Sequence, residues 1–302
     1  MKNEYKEPLV TIGLPCYNVE KYIEFSILSI LNQSYQNWEL IIIDDNSTDT
    51  TAEIIDRFKD NSKIKIHKNS LNKGLVFNLN KIIELSKGKY IARMDPDDIM
   101  DRDRLKIQIY YLEINSHIDV ISSYGYSIDE NNNIHGLRKT KLFKNKINLL
   151  YKNCFIHPSV TAKRDWYIDN QYNSAFERVE DHELWLRTSS YTNFLIIKLP
   201  LIFYREIGIE SRSKYIKSKL NSILFLKFTN ISIFYRLIFI LIELLKILIF
   251  ISFDFLNLRD KLIKKRSKIL TTAELEVAKN KLNKSINIWE GGYWKLQQVQ
   301  NH

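Results

Sequence analysis

The sequence predicts an α/β protein: a doubly wound, mostly parallel sheet with helices on both faces, followed by a C-terminal helical extension. Three observations lead there. Short apolar runs alternate with helical stripes through the first hundred positions, which is the βαβα rhythm of such sheets. The four consecutive apolar residues Leu40 to Ile43 suit a strand covered on both faces. Two of the strand-like runs end in carboxylates, at the edge where open α/β sheets bind ligands.

Each element follows from its local pattern. "LVTIGLP", Leu9 to Pro15, is an apolar run stopped by proline, and Ile23, Ile27, Ile30 and Leu31 follow at helical spacing. "WELIIIDD" is the second strand, and "NSTDTTAEIIDRF" places Thr and Asp at a helix start before the strand "KIKIH". Leu75, Leu79, Ile82 and Ile83 trace another helix, and "KYIARMD" is the next strand. Beyond it, "DVISSYGYSIDENNNIHG" reads as strand, polar turn and strand, "EDHELWLR" as a helix, and the chain from Lys214 as helical. The division expected is an α/β domain over 1–213 and a helical, apolar and basic region over 214–302.

Composition narrows the class. A chain of 302 residues with 45% hydrophobic and 26% charged residues is globular, not disordered. Its net charge of +10 implies an anionic partner. The basic residues cluster after the hydrophobic helices and do not interleave with aromatics, so nucleic acid is not expected. Cys16 and Cys154 lack metal-type spacing, and the amino-terminal residues lack an apolar h-region, so a reduced, cytoplasmic protein is expected.

The stretch Ile223 to Leu256 is rich in Ile, Leu and Phe, yet charges interrupt it well short of the about eighteen apolar residues of a spanning helix. Arg236, Glu243 and Lys246 fall near one stripe, leaving a broad apolar face opposite. With the basic "RDKLIKKRSK" behind it, this region is expected to contact the membrane peripherally through 223–266. The other reading is a hairpin packed on the α/β domain or on a second subunit.

The sharpest motif is "RMDPDDI", with Asp95, Asp97 and Asp98 in four positions. Like charges this close repel unless something positive sits among them. Asp is also a favoured helix cap. A second acidic pair, Asp44 and Asp45, is expected on the same sheet edge, which points to one site. Asp95 and Asp97 could hold Mn2+ or Mg2+, with diphosphate oxygens completing the shell.

At these residues a resemblance emerges. "LPCYN", "ELIIIDDNSTD", "NKG", "GKYIARMDPDDI", "RLKIQ", "HPSV", "EDHELWLR" and "YREIGIESRS", in this order, resemble the family 2 inverting glycosyltransferases of GT-A fold, over about Leu9 to Ser213. The resemblance implies a GT-A-like sheet and a hexosyltransferase acting on a UDP-sugar. Pro15 and Tyr17 would lie at the nucleotide, with Tyr17 against uracil. Asp45 would accept from the base, supported by Asp44. Lys73 would face phosphate or base, Asp95 ribose or metal, and Asp97 would be the main metal ligand. Asp98 would hold the loop or cap the next helix, and Arg205 would meet phosphate. His157 and Trp185 would line the acceptor side. Each has a plainer reading: a buried tyrosine, turn aspartates, an exposed lysine, a core histidine and a core tryptophan. At Ile207 the pattern departs from the histidine that the family often carries.

An inverting transfer needs a carboxylate to take the acceptor's proton, and Glu180 with Asp181 offers two. On a helix Asp181 shares a face with Leu184, Trp185 and Thr188, whereas Glu180 lines up with Glu183 and Arg187. The apolar face should turn inward and the charged face to water, which makes Asp181 the expected base unless it only caps the helix. The family implies a saccharide acceptor, free or lipid-linked, in polysaccharide, O-antigen or lipooligosaccharide synthesis at the inner face of the cell membrane. Against this stand a catalytically degenerate scaffold or binding protein at the membrane, and a nucleotidyltransferase, whose glycine-rich phosphate loop "GLPCYNVEKY" does not supply.

Overall fold

The computed structural model describes residues 7–142, 146–151, 154–206, 212–224, 226, 231–256 and 267–287. Ile207 and the basic stretch 259–266 lie outside them. Strands β1 (Val10–Cys16), β2 (Trp38–Asp44), β3 (Ile64–Lys68) and β4 (Tyr90–Arg93) are parallel, in the order β3-β2-β1-β4. Leu40 and Ile42 pack on one face of the sheet with α1 (Ile23–Leu31), α2 (Thr51–Asp56) and α4 (Arg104–Ile114). Ile41 and Ile43 pack on the other face with α3 (Leu75–Leu85). The alternation of side chains along a strand thus gives β2 two buried faces and explains its unbroken apolar run.

The sheet continues as β4-β8-β6-β9-β5, with β7 paired to β6. Its added strands are β5 (Ile99–Met100), β6 (Val120–Ile128), β7 (Ile134–Arg138), β8 (Thr161–Lys163) and β9 (Phe194–Arg205). Two antiparallel pairings position the site. Strand β8 runs against β4 with Ala92 opposite Thr161, so the 3-10 turn His157–Ser159 that precedes β8 lies beyond the carboxyl end of β4. Strand β5 runs against β9 with Ile99 opposite Phe203, which brings Arg205 alongside the acidic loop. Helices α5 (Lys146–Tyr151), α6 (Arg164–Asp169) and α7 (Glu180–Thr188) flank this half.

Beyond residue 213 the described chain splits into two behaviours. Helix α10 (Thr272–Ile286) opens with a capping box between Thr271 and Glu274 and returns to the sheet. There Ala278 and Leu282 pack with Ile99, Tyr126 and Phe203, and Lys281 pairs with Asp101 at 3.2 Å. Helices α8 (Arg212–Leu224) and α9 (Ile233–Phe255) pack on each other, with Tyr215 stacked on Phe250 at 4.0 Å, and also on the α/β domain, where Phe239 joins the core 5.5 Å from the Tyr151 ring of α5. The polar stripe of α9 faces inward: Glu243 is 2% exposed and holds Lys246 at 2.5 Å and Lys219 at 3.2 Å. Phe234, Leu237, Leu241, Leu245 and Leu248 point out, Leu241 with 68% of its surface bare. No described helix is long and apolar enough to cross a membrane.

Candidate active site

The acidic loop follows β4 and is held from three sides. From β9, the Arg205 N–H donates to Asp98 Oδ1 at 2.7 Å, and Nε donates to the Asp97 carbonyl at 2.6 Å. Its two remaining nitrogens bond Asp129 O and Asn132 Oδ1, and the guanidinium lies over Tyr22 at 4.4 Å. Arg205 is therefore a clasp on the loop, with three of its five guanidinium N–H groups donating inside the protein. From β4, Arg93 Nη2 pairs with Asp95 Oδ1 at 2.6 Å. From α4, the fully buried Arg104 donates to the carbonyls of Arg93 at 2.9 Å and Val160 at 3.1 Å, and Gln108 donates to Ser159 O at 2.8 Å. Arg104 and Gln108 open and close "RLKIQ". Their four-residue spacing on an apolar helix face is the sequence signal of a buried polar pair. Asp103, not Asp98, sits at the N-cap of α4.

One oxygen each of Asp95, Asp97 and Asp98 lie within 4.8 Å of one another. Burial, then the charge of Asp95, pushes the Asp97 carboxyl up to about 6. Burial followed by the charges of Asp97 and Asp95 raises Asp98 well above the usual range, and its Oδ2 has no hydrogen-bond partner. Three hard oxygens and an orphaned buried carboxylate atom fit a divalent cation such as Mg2+ or Mn2+.

The second acidic pair lies beside the ends of β1 and β2, where Cys16 is opposite Asp44. Asp44 Oδ1 accepts from Ser47 N–H at 3.2 Å and Oγ–H at 2.5 Å. Asp45 accepts from Asn69 Nδ2 at 2.7 Å and from the backbone N–H groups of Lys73 at 2.9 Å and Gly74 at 2.8 Å. Burial pushes the Asp45 carboxyl up, but these bonds outweigh it and hold it below the ordinary value. Gly74 takes φ +85°, a conformation that costs glycine little, and so turns its N–H onto Asp45. Pro15 is buried within β1, whereas Tyr17 leaves 45% of its surface open, which removes the buried-tyrosine reading. Lys73 is exposed, with Nζ 4.4 Å from the Phe77 ring centre.

A cavity of about 540 Å³ joins the acidic loop to α7, and Arg93, Asp95, His157, Glu180 and Asp181 line it. Here the helical-face expectation fails. Glu180 and Glu183 are 5% and 6% exposed, not turned to water. Glu183 is neutralised by Arg187 at 2.7 Å, and the first turn of α7 is inserted into the cavity wall. Both Glu180 and Asp181 therefore face the site. Glu180 Oε2 has no hydrogen-bond partner, and burial followed by the charge of Asp181 pushes its carboxyl up to about 7. The N-cap of α7 is Val179, without a side-chain cap, while Asp181 Oδ1 accepts from the His182 backbone N–H at 2.7 Å within the first turn.

Trp185 is wholly buried, packed edge-on to Phe155 at 5.0 Å and beside Trp166, so it belongs to the core and not to an acceptor platform. His157 does line the cavity, its Nε2 bonded to the Tyr172 hydroxyl at 2.8 Å. Burial, then Arg93, holds that imidazole well below its ordinary value and hence neutral.

Residues 11–169 match the family model "Glycosyl transferase family 2". The chain is 36% identical over 240 residues to an uncharacterised glycosyltransferase of Methanocaldococcus jannaschii, covering 75% of this chain and 81% of the relative. It is also 36% identical over 197 residues to the Escherichia coli UDP-Glc:alpha-D-GlcNAc-diphosphoundecaprenol beta-1,3-glucosyltransferase WfgD, covering 64% and 75%. Among solved structures, S. aureus TarS (residues 1–349) in complex with UDP-GlcNAc shares the fold with a TM-score of 0.58. That match has 16% identity and covers 78% of this chain and 71% of TarS.

Proposed function

The chain belongs to glycosyl transferase family 2 and is a glycosyltransferase; on that premise we propose that it moves a sugar from a UDP-sugar, with inversion, to a lipid-linked saccharide in surface-polysaccharide synthesis. The observation that carries this reading is one cavity lined both by Asp95 of the acidic loop and by Glu180 and Asp181 of α7. A donor held at the acidic loop and an acceptor at α7 would bring the reacting atoms together. The UDP-glucose donor and diphosphoundecaprenol-linked acceptor in the name of WfgD support the choice of substrates.

Tyr17, with its open ring, packs on uracil. Asp45 fixes the 69–74 loop and keeps lone-pair capacity for the base, with Asp44 beneath it. Asp97 and Asp95 hold the divalent cation, while Asp98 ties the loop to Arg205. When bound, the cation offsets negative charge on the leaving diphosphate. Asp181, half-buried at the cavity wall, takes the proton of the acceptor hydroxyl. Glu180 beside it, its carboxyl pushed up to about 7, is only partly ionised near neutrality. Helix α9 seats the enzyme on the inner face of the membrane, apolar side down, where a lipid-linked acceptor resides.

Calorimetric titration of UDP with and without Mn2+, repeated on Asp97→Ala, tests the donor side. Binding that needs the cation and is lost in the variant is expected. Equal binding by both proteins without the cation would sink the metal-site reading.

A further inference from the structure

Two buried groups of opposite charge face the same cavity with atoms left unbonded. Arg93 is 5% exposed, and its Nε and Nη1 have no hydrogen-bond partner, while Nη2 is tied to Asp95. Glu180 is equally buried, and its Oε2 has none. Each senses the other's charge. Leaving a buried guanidinium N–H and a carboxylate oxygen unsatisfied is costly, and it persists where a second arrangement satisfies them.

That second arrangement follows from what a cation does at Asp95. A divalent ion on the Asp95 carboxylate competes for the oxygen that Arg93 holds and repels the guanidinium. A planar guanidinium with five N–H donors on a flexible stem can release one carboxylate and take another. Glu180 is the cavity carboxylate with a buried oxygen left open. We propose that Arg93 exchanges partners, paired with Asp95 when the acidic loop is empty and turned to Glu180 when a divalent cation occupies that loop. Arg93 is thereby a positioning residue: filling the donor end fixes the first turn of α7, which carries Asp181. The proposal rests on the reading of Asp95 and Asp97 as cation ligands, and it implies that donor loading precedes productive acceptor binding.

By linkage, if cation binding draws Arg93 to Glu180, then Glu180 must strengthen cation binding through Arg93. The test is a double-substitution cycle on Mn2+ affinity, read from the electron paramagnetic resonance of free Mn2+ over the full-length chain without nucleotide. Glu180→Gln is expected to weaken Mn2+ binding about fivefold or more. In the Arg93→Met background the same substitution is expected to change it less than about twofold. An equal loss in both backgrounds would mean that Glu180 acts through its field alone, and no loss in either would mean that the two ends are independent; either overturns the exchange. Absence of Mn2+ binding by the unsubstituted protein would instead overturn the cation reading and the exchange with it. Should Arg93→Met lack the native circular dichroism, Arg93→Lys replaces it. A lone ammonium lacks the guanidinium fork, and the effect of Glu180→Gln should fall to less than half on a logarithmic scale.

Discussion

Glu180 on α7 and Glu243 on α9 are both buried glutamates on amphipathic helices, and both sit where the helical pattern would put them in water. Their surroundings are opposite. Glu243 is clamped by Lys219 and Lys246, so its charge is neutralised inside the α8–α9 pair. Each keeps one buried oxygen without a hydrogen-bond partner, but Glu180 has a carboxylate as its charged neighbour where Glu243 has lysines, and a cavity beside it. Burial alone therefore does not mark a site. A buried carboxylate that is paired locks two helices together, and one set against another carboxylate beside a cavity marks where a ligand or a moving partner belongs.

The comparison breaks at its strongest point if the α7 turn does no chemistry. Asp181→Asn should lower kcat by about 10³-fold while UDP affinity stays within about twofold, because a general base acts on the acceptor and not on the nucleotide. Comparable loss of UDP binding would place Asp181 on the donor side.

The next effect sharpens the contrast through stability. The Glu180 carboxyl titrates at about 7 in the fold, above its ordinary 4.5. The folded state thus binds more protons than the unfolded one between those values. Stability falls as pH rises through that window and stays low above it. Glu180→Gln should therefore melt higher than the parent at pH 8, by on the order of 2 kcal/mol, and equally with it at pH 4. Glu243→Gln should do the reverse at pH 8 and destabilise by about 1–2 kcal/mol. That is less than for a fully buried pair, because both lysine head groups keep some water. Equal signs in thermal melts at pH 8 would erase the distinction.

Smallest in stability is Leu241→Glu, on the bare face of α9. It should move the melting free energy by less than about 0.5 kcal/mol yet abolish sedimentation with anionic vesicles. Unchanged sedimentation would remove the membrane seat.

Much of this molecule was legible along the chain. The apolar runs of β1, β2 and β4 and the stripes at Ile23 and Leu75 predict their elements because burial on a regular sheet imposes regular spacing. Asp44, Asp45, Asp95 and Asp97 could be placed on one edge because parallel strands share their carboxyl ends. Arg205 could not be assigned from its motif, since its partners Asp97, Asp98, Asp129 and Asn132 are distant in sequence and meet through β5 and β9. The boundary at 213 likewise hides that α10 returns to Ile99 and Phe203.

The sequence by itself determined the element order, the acidic edge and the family, because each is written in local periodicity or in short runs of chemistry-bearing residues. Only the tertiary structure decided which face of α7 and of α9 is inside. A helix's pattern names two faces but not what covers them. The insertion of α7 into a cavity wall and the clasp of α8 on Glu243 are contacts between segments far apart in the chain.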